Sequence, residues 1–335
     1  MKKAIDLFLN QVFNATIINK YNLKIKFIKN DFIFENSSNK YHDLCFDLCN
    51  DKLSEFDNGA DLFELVIQGK CKLSGNARFW KILRNKEDIH FQDDTSLISL
   101  LFLKTFNKKL PRRVESILHQ LVNREQVNYQ NSQLAFATIP NFIHTPFIDH
   151  KQIALTDLMS DHIDSIQQEA KQFIDNKVIA YPFELYGLDP ITKQPKWSRW
   201  SIFSNGEINQ ANSLKFPMTK KFAELAATNN RLITLDFLIL NPGQQLNYHS
   251  DGFSFFANWQ CGIIVPDHCA IEVSGIKTVH KVNSIFAFDD SFIHSAWNRS
   301  SEKRVVLSAW AIHPEFDDEE AFAIKFVSKH YKWGI

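Results

Sequence analysis

His249, Asp251 and His294 are the residues of this chain whose types and spacing best suit them to chemistry. One residue separates the first two, and His294 follows forty-three residues after the aspartate. Two imidazoles and one carboxylate on a single face of a metal are what a non-haem Fe(II) oxygenase needs, because the opposite positions stay open for a co-substrate and O₂. Side chains alternate along an extended strand with a period of two, so a single intervening residue puts His249 and Asp251 on the same side. His294 then has to arrive from another strand. Arg304, ten residues beyond His294, offers a planar guanidinium that can take a carboxylate bidentately, as the distal carboxylate of 2-oxoglutarate requires. A lone His-x-Asp is common; joined to a distal His and an Arg in a strand-rich context it is a far more specific signal.

The elements that must position these residues are strands. After Asn229-Asn230 the chain reads as short strands over Leu232–Leu240, Phe253–Val265, Ala270–Val273, Lys277–Val282, Ser284–Phe288 and Arg304–Ile312, parted by turns such as Asn241-Pro-Gly243 and Ser274-Gly275. Regular short strands predict a sandwich or barrel. The double-stranded β-helix, a cupin-like jelly roll, is the version that brings a His-x-Asp strand and a distal His strand together. Ahead of them, Ile163 to Ile174 lines one helix face with Ser160 as its expected N-cap, Trp197–Phe203 reads as a strand, and Pro217–Ala227 is a short helix with Pro near its start.

Residues 1–130 are expected to form a separate α+β accessory domain and residues 136–335 the β-helix domain, an α+β chain as a whole. In the first unit, Ile5 to Val12 has helical spacing, Leu23–Phe27 alternates as a strand with Phe32–Phe34 as a hairpin partner, and Leu62–Ile67 reads as a strand. Asn76–Arg84, bearing Phe79-Trp80, and Thr95–Phe106, with Asp94 or Thr95 as N-cap, read as helices. Arg112-Arg113 and the polar stretch Asn123–Ser132 mark a linker or a solvated helix end.

Composition narrows the partners. With 38 basic and 38 acidic residues the formal net charge is zero, which supplies no field for a polyanion and argues against nucleic acid. No apolar run approaches the ~20 residues that span a bilayer, and the start, MKKAIDLFLNQVF, reads as an amphipathic helix and not as a leader. Five cysteines at irregular spacing fit a reducing cytoplasm. Cys45 and Cys49 could share a helix face, but no His pair stands near them to complete a metal site. Thirty Phe residues are expected to fill the core, with an apolar groove for a lipid or peptide as the sharper reading.

The stretch Val282–Asn298 (VNSIFAFDDSFIHSAWN), followed by Arg304-Val-Val-Leu and Ile312-His-Pro-Glu, closely resembles the aspartyl/asparaginyl β-hydroxylase family of 2-oxoglutarate oxygenases. Asn241-Pro-Gly243, His249 and Gly262-Ile-Ile-Val-Pro266 fall at that family's spacing, as do Trp197–Phe203 and Ala211–Phe222, while Ile139–Asp149 looks like its domain entry. The resemblance covers roughly Ile139 to Phe316. It implies a hydroxylase in which His249, Asp251 and His294 hold Fe(II), Arg304 anchors 2-oxoglutarate, O₂ is consumed, and Gln260 helps in the co-substrate pocket; Ser308 shares strand parity with Arg304 and is expected to point into the same pocket. Several family members have Gly at the position of Asp251. A family His that helps hold 2-oxoglutarate corresponds to Gln260, and a family Ser in the same pocket corresponds to Leu238, which cannot donate a hydrogen bond. The first unit resembles sterol-carrier-like domains only faintly, in order and texture.

Other polar residues are expected to be structural. Asp289 and Asp290 suit caps on a turn before Ser291, Trp297 suits a wall, His313 suits a support, and His268 and His280, both near turns, read as exposed. The substrate is expected to be a small molecule, a peptide side chain or a lipid, presented by the first unit. The runner-up is a degenerate oxygenase fold that keeps the metal but only binds lipid or peptide, motivated by Gln260 and Leu238. A zinc hydrolase is weaker still, because no general base stands near the three ligands.

Overall fold

The computed structural model of the chain describes residues 23–28, 32–35, 42–48, 62–75, 96–123, 132–175, 181–182, 196–204, 206–229 and 231–330. The expected helices at Ile5–Val12 and Asn76–Arg84 lie outside these residues, as do Cys49, Phe79 and Trp80.

A four-stranded sheet comes first. β1 (Leu23–Phe27) pairs antiparallel with β2 (Phe32–Glu35), the expected hairpin, and parallel with β3 (His42–Leu48), which pairs with β4 (Cys71–Gly75). Leu23, Ile25 and Phe27 alternate into a buried face against Leu44 and Phe46. Leu62–Ile67, read from sequence as a strand, is instead a helix, α1. Six continuous apolar residues carry no period that separates strand from helix; burial of Leu62 and Leu65, one turn apart, decides it. The bond from Lys70 N–H back to Leu65 O, 2.9 Å, closes its end.

The catalytically suggestive residues lie in a double-stranded β-helix. Its larger sheet runs β5 (Phe147–Ile148), β13 (Ile285–Asp289), β10 (Phe256–Ile264), β15 (Arg304–Ile312), β9 (Leu232–Leu240), β7 (Trp197–Ser204) and β6 (Tyr181–Pro182), with β8 (Glu207–Ile208) on β7. The smaller runs β12 (Ile276–Val279), β11 (Cys269–Val273) and β14 (His294–Asn298). The period-2 rule sorts the large sheet into two faces. Ala257, Trp259 and Cys261 of β10, Val305, Leu307 and Ala309 of β15, and Leu235, Phe237 and Ile239 of β9 pack against helices Ile163–Asp175 and Pro217–Ala227. The alternate residues, Asn258, Gln260, Arg304, Ser308, Asp236 and Leu238, face the smaller sheet.

The helix Ile163–Asp175 forms as expected, but Ser160 does not cap it. Ser160 ends the preceding helix Leu155–Ser160, and its hydroxyl donates to Asp157 O at 2.9 Å. The closing helix Asp318–His330 follows the last strand and packs with the helices Ser96–Phe106 and Arg112–Asn123. Val114, Ile117, Leu118 and Leu121 share one core with Phe253, Phe255, Phe256, Ile312, Phe316 and Ile324. Arg113, expected to mark a linker or a solvated helix end, stands in the first turn of the helix Arg112–Asn123 and forks onto the closing segment: its Nε and Nη2 donate to Glu320 at 2.8 Å each and its Nη1 to Glu315 at 3.0 Å. Residues on both sides of the expected break, Val114 to Leu121 before it and Ala137 and Ile139 after it, share this one core.

Candidate metal and co-substrate site

His249 sits not in a long strand but on an isolated bridge to His294, where each backbone N–H donates to the other's carbonyl at 2.9 and 2.7 Å. The pairing sets the two rings 4.2 Å apart, centroid to centroid. Asp251 follows on an extended segment whose N–H donates to Asp290 O at 2.8 Å. The ligand-type atoms of His249, Asp251 and His294 all lie within 4.8 Å of one another, among buried or half-buried side chains. The three residues singled out by their spacing thus lie together, with a bridged loop in place of the expected strand.

The protonation of both rings follows from their neighbours. His249 Nδ1 lies 2.7 Å from Asn247 O, and His294 Nδ1 lies 2.9 Å from Phe292 O. A carbonyl can only accept, so each Nδ1 carries a hydrogen, and Nε2 is the atom through which a metal would take each ring. The same i to i−2 device holds both imidazoles, and Phe288 packs edge-on to His294 at 5.1 Å.

A strap of chain before the β-helix stitches the two ligand loops together. Leu134 N–H donates to Ser291 O at 2.7 Å and Phe136 N–H to Gly252 O at 2.7 Å, while Ile293 N–H donates to Ser132 O. The buried Ser250 hydroxyl lies within 3.0 Å of Leu134 O and 2.8 Å of Ser291 O. Asp289 caps the backbone of this turn through Ser291 N–H at 2.9 Å and takes His144 Nδ1 at 2.9 Å, a structural role for this carboxylate. Gly252 is where the segment turns: its φ is +88°, and a Cβ there would stand 2.6 Å from the Phe136 ring. Gly252→Ala should therefore cost about 1–3 kcal/mol in backbone strain plus the clash, read as a lower unfolding midpoint and weaker metal retention.

The cavity beside the triad, about 100 Å³, is lined by His249, Asp251 and His294 near one end and by Arg304 with Trp197 and Leu240 elsewhere. Arg304 is 4% exposed, and its Nε has no hydrogen-bond partner among the described residues. Burial lowers its pKa to about 10, which still leaves it charged at neutral pH. A buried cation with an unused donor facing a cavity is a fit for an incoming carboxylate. Gln260 also lines the cavity, and its Oε1 has no partner while its Nε2 donates to Asn258 Oδ1 at 3.2 Å. Ser308 lies on the same sheet face as Arg304 and donates to the same Asn258 oxygen at 3.2 Å. Leu238 lines the cavity with an apolar wall.

One histidine departs from its expected place. His268 is exposed, but His280 is buried at 3% exposure, with the Phe286 ring 4.9 Å away. Its position after a strand end suggested solvent; the sequence held no sign that the smaller sheet would fold that turn inward. His313 is likewise buried, in ring contact with Phe142 at 5.0 Å, and burial drops its pKa to about 3.

Residues 160–314 match the model of the aspartyl/asparaginyl beta-hydroxylase family, the same family that the closing motif resembles. Aspartyl/asparaginyl beta-hydroxylase of Mus musculus is 24% identical over 129 residues, which is 37% of this chain and 17% of that protein. The ornithine lipid ester-linked acyl 2-hydroxylase of Rhizobium tropici is 27% identical over 127 residues, 37% of this chain and 44% of that one. The chain thus spans less than half the length of either relative. A crystal structure of the viral collagen prolyl hydroxylase of Paramecium Bursaria Chlorella virus-1 aligns over 43% of this chain and 90% of that one, with a TM-score of 0.27 and 11% identity. No helix among the described residues is long and apolar enough to cross a membrane.

Proposed function

We propose that the C-terminal region is an Fe(II)- and 2-oxoglutarate-dependent hydroxylase acting on a C–H bond of an amino-acid, peptide side-chain or lipid substrate. The observation that carries this reading is the pairing, in one cavity, of a two-imidazole, one-carboxylate set with a buried arginine whose Nε is unused. His249, Asp251 and His294 would hold the iron through Nε2, a carboxylate oxygen and Nε2. Iron with the 2-oxo acid supplies O₂ activation, by which one oxygen atom enters the substrate and the co-substrate leaves as succinate and CO₂.

The chain's own residues do the rest. Asn247 O and Phe292 O keep both rings in the metal-binding tautomer. Arg304 fixes the far end of the co-substrate, so that its oxo-acid end meets the metal in one orientation. Leu238, Leu240, Leu246 and Ile271 line the cavity and exclude water from the reacting atoms. Asp251, as a ligand, would occupy a position that a halide would need, which favours hydroxylation. The assay is release of succinate from 2-oxoglutarate by the full chain with added Fe(II) and ascorbate. Iron-independent or absent release would leave only a binding protein of the same fold.

Arg304→Lys separates the two ends of the cavity. Lysine keeps the charge but not the fork, so 2-oxoglutarate affinity should fall by about 10- to 100-fold while iron affinity stays within about twofold. Equal co-substrate affinity in the two forms, measured by calorimetry, would remove Arg304 from this role.

A further inference from the structure

The helix Ser96–Phe106 carries more apolar surface than its packing covers. Its sequence, SLISLLFLKTF, has seven Leu, Ile or Phe residues among eleven, so it is apolar all round. A helix of that kind is ordinarily buried on every side. Here one side alone is covered: Ile98 and Phe102 join the core that holds Val114 and Ile324. On the other side Leu100, Leu101 and Leu103 are each 38–45% exposed. Leu100 and Leu103 stand one turn apart, with Leu101 beside them. Thr105, also exposed, turns its hydroxyl back onto Leu101 O at 2.7 Å and spends its polar group on the helix itself. Phe106 and Phe322 of the closing helix extend the face; both are exposed, with ring centroids 4.9 Å apart.

Cations border this face. From Ser96 to Val114 the chain holds Lys104, Lys108, Lys109, Arg112 and Arg113 and neither Asp nor Glu. Lys104 follows Leu100 by one helical turn and so shares its side. The acids nearby come from the closing segment, and each is already engaged. Glu319 takes Lys108, Glu315 and Glu320 take Arg113, Asp318 takes Arg231, and Asp317 caps the Glu320 N–H. Lys104, Lys109 and Arg112 are exposed, with no acidic partner among the described residues. Along the chain the next acid is Glu115, a turn beyond Arg112.

Leucines in a stripe that ends in lysines select what covers them. A second copy paired two-fold through this face would bring lysines together with no acid on either helix to answer them. An anionic bilayer answers both parts: the leucines and Phe rings enter the boundary between headgroups and acyl chains, and the lysines meet the lipid phosphates. We propose that the outward face of Ser96–Phe106, with Phe322, Lys104 and Lys109, docks the chain peripherally on an anionic phospholipid bilayer. The face stands apart from the metal site, so the proposal does not depend on the chemistry assigned there.

The test is sedimentation of the full chain with two sets of vesicles, phosphatidylcholine alone and equimolar phosphatidylcholine and phosphatidylglycerol. The parent should bind the mixed vesicles, lose them at high salt, and bind phosphatidylcholine at least tenfold more weakly. Leu100→Ser with Leu103→Ser should weaken binding to the mixed vesicles by about 10- to 100-fold. Lys104→Gln with Lys109→Gln should weaken it by about 10- to 30-fold. The lysine pair lies on the surface and leaves folding intact, so it keeps the test decisive where the leucine pair lowers the unfolding midpoint. Failure of the parent to bind the mixed vesicles overturns the proposal, as does equal binding by parent and lysine variant. A dimer in solution that the leucine variant dissolves would make a second copy the occupant. A leucine variant that unfolds at a far lower temperature, beside a parent indifferent to vesicles, would show the face to be covered within the chain.

Discussion

His294→Ala should strip the chain of firmly held iron and with it all iron-dependent succinate release. Among the proposed ligands His294 is the most constrained. Both backbone bonds of its bridge to His249, the 2.9 Å bond from its Nδ1 to Phe292 O and the edge contact with Phe288 fix its ring before any metal arrives. Loss of a partner that only orients a ligand already costs about 10- to 100-fold in metal affinity, so removal of the ligand itself should exceed that range. The backbone bridge does not depend on the side chain, so the fold should persist and the unfolding midpoint should move little. Competition with a chelator of known affinity gives the first quantity and thermal unfolding the second. Asp251→Ala should lose less iron than His294→Ala, because Asp251 is only half-buried whereas His294 is buried. If His294→Ala retains iron as the parent does, the metal is elsewhere and the oxygenase reading fails with it.

The contrast between the two ends of the cavity explains what the sequence could disclose. His249, Asp251, His294 and Arg304 were legible because metal ligation and bidentate carboxylate binding restrict residue type, and a period of two restricts spacing. The strands Leu232–Leu240 and Arg304–Ile312 and the helix Pro217–Ala227 were legible to the residue, since each carries its own period or proline start. His280 was not, because whether a turn folds inward depends on a non-local contact, here the fit of Lys281 over Gly262. The strap was equally hidden: Leu134 and Phe136 act through backbone N–H groups, which any residue type could supply. Leu62–Ile67 failed for the opposite reason, a local signal too uniform to carry a period.

The same strap decides the largest effect we expect from a deletion. A chain cut to residues 136–335 keeps every proposed ligand, yet it should not keep metal or co-substrate binding. The cut removes Ser132, Gln133 and Leu134, which bond to Ile293, Ser291 and Ser250 around the ligand loops. It also removes Val114, Ile117, Leu118 and Leu121, all 5% exposed or less, from the core they share with Phe253, Phe256 and Ile312. At about 1.5–3 kcal/mol for each buried aliphatic side chain, their loss approaches the 5–15 kcal/mol that holds a domain folded. The Arg113 fork on Glu315 and Glu320 goes with them. A chain beginning shortly before Ser96 retains all of these contacts, and it should bind Mn(II) and 2-oxoglutarate as the full chain does. We therefore place the working boundary of the hydroxylase unit ahead of residue 96, with the preceding four-stranded sheet left for substrate selection. Paired measurement of succinate release and of Mn(II) affinity on the two deletions decides it: full activity in residues 136–335 would show that strap and helices are dispensable, and loss in both would show that the first sheet helps to build the site.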